Sequence, residues 1–403
     1  MKNHCRWGRV IVGVAVLLLA GLVYAWTVLQ APIAVCFPDW SKGQLSLTFT
    51  ITMAAFCIGG FVGGQLQKRL SCRTLLWMAA VLFLLGFFLA SRAEGLLLLY
   101  VGFGVLAGFA SGVAYNAVMS SVSAWFPDKP GLISGVLLMG FGMSSFLVGK
   151  VYTALTPSDG GEGWRSSFLV LGIVLCAVLA VAACFIAKPD GSWTPPASAG
   201  GRKTESYEEL STSAMLRRGS FWKYILWATF LTVAGLAIIS QGTPMALEVC
   251  PELSMDAVAT IVGVLSIANG LGRILFGGLY DRLGRFKTML LGGGLFLLAM
   301  ALLLAALSSH ALWLLTAAYV LTGLAYGSVM PTNSAFVGQF YGRENYPANF
   351  SIVNMNILVA SFGSTAAGAV FDATQSYQAI ILIVMGLLVV GGAVGCTIRT
   401  PKR

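Results

Sequence analysis

Long apolar runs, separated by short polar or glycine-marked turns, fill nearly the whole chain, as in Val10 to Leu29 and Ile380 to Ala393. A helix of about 20 apolar residues crosses the hydrocarbon core of a bilayer. A membrane β-barrel would instead alternate apolar and polar positions in segments of about 10 residues, and these runs do not alternate. The pattern predicts twelve spanning helices near 9–36, 43–66, 74–91, 96–124, 130–155, 165–187, 221–247, 257–280, 288–307, 311–340, 347–371 and 376–397. The long polar stretch, Pro189 to Ser220, is rich in Pro, Gly and Ser and then charged, as a linker would be. The expected fold is an all-α membrane protein of twelve transmembrane helices in two pseudo-symmetric six-helix bundles, 1–188 and 221–403, joined by a cytoplasmic linker, 189–220. Within that linker, Tyr207 to Arg218 is a candidate surface helix.

Composition sharpens this picture by exclusion. Of 403 residues, 57% are hydrophobic and 10% charged, against about 25% charged in a soluble domain. A water-soluble enzyme could not cover its surface with so little charge, and disorder needs a far less apolar chain. The net charge of +10 lies in loops rather than in a basic stripe, so no nucleic-acid partner is expected. Its distribution sets an orientation. With the N-terminus inside, twenty Lys and Arg collect on the inner side, and only Lys42, Arg92 and Arg165 on the outer side. Cytoplasmic termini follow as an expectation, and with no cleavable signal peptide a cytoplasmic (inner) membrane location is expected. The first apolar run exceeds a signal-peptide core and lacks a cleavage site before polar chain, so it reads as a retained first span. The eight cysteines form no Cys-x-x-Cys pair, so neither a metal site nor any cofactor is expected. Cys36 and Cys250 take corresponding places in the two halves, which leaves a bridge between them open.

The halves repeat. Gly64 to Arg69 answers Gly277 to Arg282 at 213 residues, Val105 to Gly108 with Gly112 answers Val320 to Gly323 with Gly327 at 215, and Ala20-Gly21 answers Ala234-Gly235 at 214. A parallel duplication of six helices explains all three, and transporters built so carry substrate near the membrane midplane.

Charge inside a span marks candidate chemistry. Arg273 lies deep in span 8, where Ser266, Asn269, Gly270, Arg273 and Gly277 share one face and Ile267, Leu271 and Leu275 point elsewhere. No Asp or Glu lies mid-span to balance it. An anionic substrate would, because a guanidinium forks onto a carboxylate through two parallel hydrogen bonds; backbone carbonyls are the alternative partner. Lys150, near the far end of span 5, reads either as snorkelling to the surface or as an attraction for anions. Tyr24, Tyr115, Asn116, Gln241, Tyr326 and Asn356 are the polar side chains in other spans that would complete a pocket, or act as interhelical glue. No nucleophile–base constellation appears, so the chain is not expected to be an enzyme.

Gly277-Gly278-Leu279-Tyr280-Asp281-Arg282-Leu283-Gly284-Arg285 resembles the signature loop between spans 8 and 9 of the major facilitator superfamily. The resemblance implies an inner gate in which Asp281 faces a helix N-terminus, with Arg282 and Arg285 beside it and Arg69 and Asp128 as further gating residues. The first-half copy departs from the pattern, with Lys68 in place of the acid. Gly21 to Val28, Trp125 to Gly131, and Met215 to Arg218 before Phe221-Trp222 resemble the oxalate/formate antiporter family, to which monocarboxylate transporters are related. That resemblance implies that Arg273 binds a substrate carboxylate and that Tyr115 and Tyr326 orient it. Oxalate exchangers of the family carry a second cation, a Lys in span 11, where Asn356 stands here. Animal monocarboxylate carriers have an Asp where Asn269 stands. One guanidinium suits one carboxylate, so lactate, pyruvate or formate is expected before oxalate, moved by proton symport or anion exchange by a monomer. Dicarboxylate exchange, drug efflux and a non-transporting membrane sensor are the alternatives.

Overall fold

The computed structural model describes residues 4–40, 42–156, 163–189 and 208–399. Among these, twelve helices are long and apolar enough to cross a membrane, from Arg6–Val23 to Tyr377–Cys396; most match the expected spans to within a few residues, but the first stops at Val23 rather than 36 and the seventh at Ser240 rather than 247. Ile267, Leu271 and Leu275 of span 8 are each at least half exposed, as side chains facing lipid would be.

Several spans are broken. Span 1 runs His4–Ala20, tightens to a 3-10 helix over Gly21–Ala25 and resumes as Trp26–Cys36. Span 4 passes through a π-helix, Tyr100–Ala107. Span 7 is split at Gln241 into Gly219–Ser240 and Gly242–Val249, span 10 at Ser328 into Leu312–Gly327 and Val329–Phe340, and span 11 at Met355 into Tyr346–Asn354 and Asn356–Thr374. Prolines account for two of these breaks. Pro244 and Pro331 have no N–H to offer the carbonyl four residues back, Ser240 and Gly327, so the helix yields just there.

The chain forms two compact units. The first comprises Met1–Asp128, Gly140–Lys203 and Tyr346–Ile352; the second comprises Lys129–Met139, Thr204–Asn345 and Val353–Arg403. In the first, spans 2 and 4 pack most closely, and in the second, spans 8 and 10 do. Both pairs use the same device. A Cβ on Gly108 would stand 2.6 Å from the Thr52 carbonyl oxygen, and Cβ atoms on Gly112 and Gly59 would collide with the carbonyls of Phe56 and Phe109. In the second unit Gly323 meets Leu265, Gly327 meets Asn269 and Gly272 meets Leu324 in the same way. The six positions correspond at offsets of 213 and 215, so the repeat read in the sequence is a repeated backbone contact. Small residues let helices approach this closely. Gly112→Val is therefore expected to cut the yield of monodisperse protein several-fold on size-exclusion chromatography. Gly263→Val, where a Cβ meets nothing within 4 Å, is expected to leave it unchanged.

The end of the linker differs from expectation. Only Thr212–Leu216 is helical, opened by the Ser211 hydroxyl on the Ala214 N–H; Tyr207 lies outside the described residues. The helix starts late because residues 208–210 are bonded elsewhere. The Glu209 carboxylate accepts from the N–H groups of Arg343 (2.9 Å) and Glu344 (3.0 Å), and the Leu210 N–H donates to Tyr341 (3.1 Å). Gly342, at φ +85°, turns the chain so that these donors converge. In the first unit the first turn of span 1 holds the corresponding loop, with the Arg6 guanidinium 3.0 Å from Asp128 and stacked over Phe126.

Candidate functional site

The span 8 helix, Met255–Leu283, opens on Ser254, whose hydroxyl accepts from the Ala257 N–H, and ends at Gly284, φ +79°. Arg273 is 9% exposed. Its Nη1 donates to the Leu138 carbonyl of span 5 at 2.5 Å, and its Nε has no hydrogen-bond partner. The approach that makes this possible is again glycine-dependent, since a Cβ on Gly135 would collide with the Arg273 carbonyl. Arg273 thus takes a backbone carbonyl through one nitrogen and keeps the Nε edge of its fork unused. Among the described residues no carboxylate forms a salt bridge with it.

One turn earlier, Asn269 is half-buried and its Oδ1 is buried without a partner. Span 10 lies against this stretch, with Gly327 on the backbone of Asn269 and Arg273. On that helix the Tyr326 ring fills the space over Gly235 of span 7. Thr322, one turn before Tyr326, is fully buried with its hydroxyl unpartnered. Asn356, also in the second unit, donates to the Thr232 hydroxyl at 3.3 Å and leaves its Oδ1 unpartnered. Beside it runs a side-chain relay, Tyr224 to Asn333 (2.8 Å) and Asn333 to Asn354 (3.4 Å). Gln241 is half-buried at the break in span 7.

The remaining candidates lie in the first unit. Tyr115 sits among Phe56, Phe141 and Phe350, and Phe350 stacks on Tyr346. Asn116 has both ends of its amide engaged, accepting from Gln67 (3.2 Å) and donating to the Pro347 carbonyl (3.0 Å). Ser120 extends the network to Gln67 at 2.7 Å. Tyr24 lies on the 3-10 turn of span 1, its side chain outside those described. Lys150 is exposed, and neither Cys36 nor Cys250 forms a disulfide.

At the signature loop, Asp281 accepts from the N–H groups of Gly131 (2.9 Å) and Leu132 (2.8 Å), the first turn of span 5. Arg282 is exposed. Arg285 is buried, donates to the Ile398 carbonyl at 2.9 Å and lies over the Phe340 ring, so it fastens span 9 to the C-terminal segment and span 10. Arg69 is exposed, and Asp128 is held by Arg6. Leu138, Gly135, Thr322 and Gln67 escaped the sequence reading. Only Gly131-x-x-x-Gly135 carried a signal, as a small-residue spacing for close helix approach.

The helix complement makes the chain a multi-pass membrane protein. It belongs to the Major Facilitator Superfamily, whose family model matches residues 13–250 and 251–403. The chain is 25% identical to the oxalate:formate antiporter of Oxalobacter formigenes over 85% of this chain and 80% of that one. It is 24% identical to monocarboxylate transporter 13 of Rattus norvegicus over 94% and 86%. The likeness expected from short motifs therefore extends across most of the chain. The structure of the proton:xylose symporter XylE matches with a TM-score of 0.74 and 13% identity, over 98% of this chain and 97% of that one, which is a likeness of fold.

Proposed function

We propose that this protein is a secondary carrier of a small monocarboxylate (lactate, pyruvate or formate), working by alternating access as a proton symporter or an anion exchanger. The observation that carries the reading is Arg273, a nine-tenths buried guanidinium with one backbone carbonyl on Nη1 and an unpartnered Nε. A buried cation without a counter-charge is costly, and a carboxylate on the free edge of the fork would supply both the charge and the hydrogen-bond geometry. In the second unit Asn269, one turn from Arg273 on the same helix, with Tyr326, Asn356 and Gln241, is the proposed polar lining; in the first unit Tyr115 and Tyr24 are separate candidates. The named activities of the relatives support the substrate class. Oxalate exchange is the second reading, favoured by the antiporter relative, but the span 11 helix, Asn356–Thr374, contains no Lys or Arg to hold a second carboxylate.

Asp281 is read as the inner gate, with Arg282 and Arg285 beside it in the loop and Arg69 and Asp128 as further gating candidates. The Lys and Arg asymmetry supports cytoplasmic termini; a cytoplasmic-membrane location is proposed from the family, and a monomer because a carrier whose path lies between its own halves needs no partner. Uptake of labelled lactate, pyruvate, formate and oxalate into proteoliposomes, with and without a pH gradient, tests the reading. Saturable uptake of a monocarboxylate is expected; no flux of any carboxylate would sink the substrate class.

A further inference from the structure

We propose that Asn269 selects substrates with a hydroxyl beside the carboxylate, so that the anion held by Arg273 is a 2-hydroxy monocarboxylate. The inference rests on the reading of Arg273 as the carboxylate site. Asn269 and Arg273 are one turn apart on one continuous helix, which puts their side chains side by side, with Cβ atoms about 5–6 Å apart. The two leave complementary groups unused: the Arg273 Nε is a donor without an acceptor, and the buried Asn269 Oδ1 is an acceptor without a donor. The buried Thr322 hydroxyl, on the helix packed against this stretch, is also unpartnered.

A substrate that satisfies this set must accept hydrogen bonds at one end and donate one next to it. A carboxylate alone only accepts. Formate and acetate would leave the Asn269 oxygen unpaired, and a 2-oxo acid or oxalate would bring a second acceptor towards it. A 2-hydroxyl donates to Asn269 Oδ1. The position also answers a question of charge. A carboxylate side chain here would accept equally well but would neutralise Arg273; an amide accepts and leaves the guanidinium free for the substrate. Sites that hydrogen-bond a substrate hydroxyl reject analogues that lack it, because the site's own polar group is then stranded.

The test is isothermal titration calorimetry on the full-length purified protein with two matched series: glycolate, glyoxylate and acetate, and lactate, pyruvate and propionate. Hydroxy acids are expected to bind at least about tenfold more tightly than their oxo and unsubstituted partners. Asn269→Leu should remove that gap by weakening the hydroxy acids alone. Equal affinities within a series, or a preference for the 2-oxo acids, would overturn the proposal while leaving the carboxylate site standing. Binding of none of the six would overturn the carboxylate site and the proposal with it. The selectivity of the unaltered protein decides the matter even if Asn269→Leu fails to fold.

Discussion

Arg273→Gln is expected to reduce carboxylate uptake into proteoliposomes by about 30-fold or more while leaving the protein at least as stable as before. The loss follows from truncating one side of a buried, hydrogen-bonded charge pair, which costs about 2–5 kcal/mol, at about 1.4 kcal/mol per factor of ten. The stability expectation has the opposite sign for a physical reason. An Arg at the centre of a spanning helix costs about 2.5–3.5 kcal/mol on insertion scales, and a Gln removes that charge while its amide can still donate to a carbonyl such as Leu138. Arg273→Lys should fall between, keeping the charge but losing the fork. A fluorescence-monitored melting curve taken with the uptake assay separates the two roles. If Arg273→Gln melts early and transports normally, the guanidinium is a helix-packing group whose task is the bond between spans 8 and 5.

Much of the fold was legible because its signals are local and repeated. Each span is a run of apolar residues, and the glycines that pack span 2 on span 4 and span 8 on span 10 recur at a fixed offset. Ile267, Leu271 and Leu275 separate from Asn269 and Arg273 on a helical wheel, and their exposure bears out that division. The helix breaks were less legible. Pro244 and Pro331 announce two of them, but no proline stands just beyond Met355, and the 3-10 turn over Gly21–Ala25 has no comparable mark. The start of the linker helix was misplaced because Glu209 is bonded to a loop more than a hundred residues away, which no window along the sequence contains.

The candidate site was legible in part, for the same reason. A lone Arg in an apolar span stands out, and so do polar residues one turn from it. Which backbone carbonyl an Arg reaches does not show in a side-chain pattern, so Leu138 gave no signal. Asn116 shows the converse limit. Its place in span 4 suggested a ligand contact, but Gln67 and Pro347 engage both ends of its amide. The departure at Lys68 has a structural counterpart here. Within the first unit the start of span 11 is held by the Asn116 amide donating to the Pro347 carbonyl, and within the second the start of span 5 is held by the Asp281 carboxylate accepting from two N–H groups.

Asp281→Ala is expected to destabilise the protein by about 2–4 kcal/mol and to reduce transport by about tenfold or more. The span 5 helix begins Lys129-Pro130-Gly131-Leu132, with Pro130 as its first helical residue. A helix start exposes N–H groups that a Ser, Thr, Asp or Asn just before it normally satisfies. Pro130 has none to satisfy, and Lys129 in the capping position has no acceptor, so the N–H groups of Gly131 and Leu132 would be left over. Asp281 takes both, at 2.9 and 2.8 Å, and its charge is also favoured at a helix N-terminus. The cap is supplied in trans, from span 8 to span 5, and glycines bring the two helices close enough, with Gly131 and Gly277 each leaving room for the other's carbonyl. This predicts a separation of functions. Adding Lys129→Ser to Asp281→Ala gives span 5 a cap from its own chain, and the melting temperature should recover most of its loss. Transport should not recover, because the bond that ties span 8 to the start of span 5 is still missing. Recovery of both would reduce Asp281 to a capping residue and remove it from the gate.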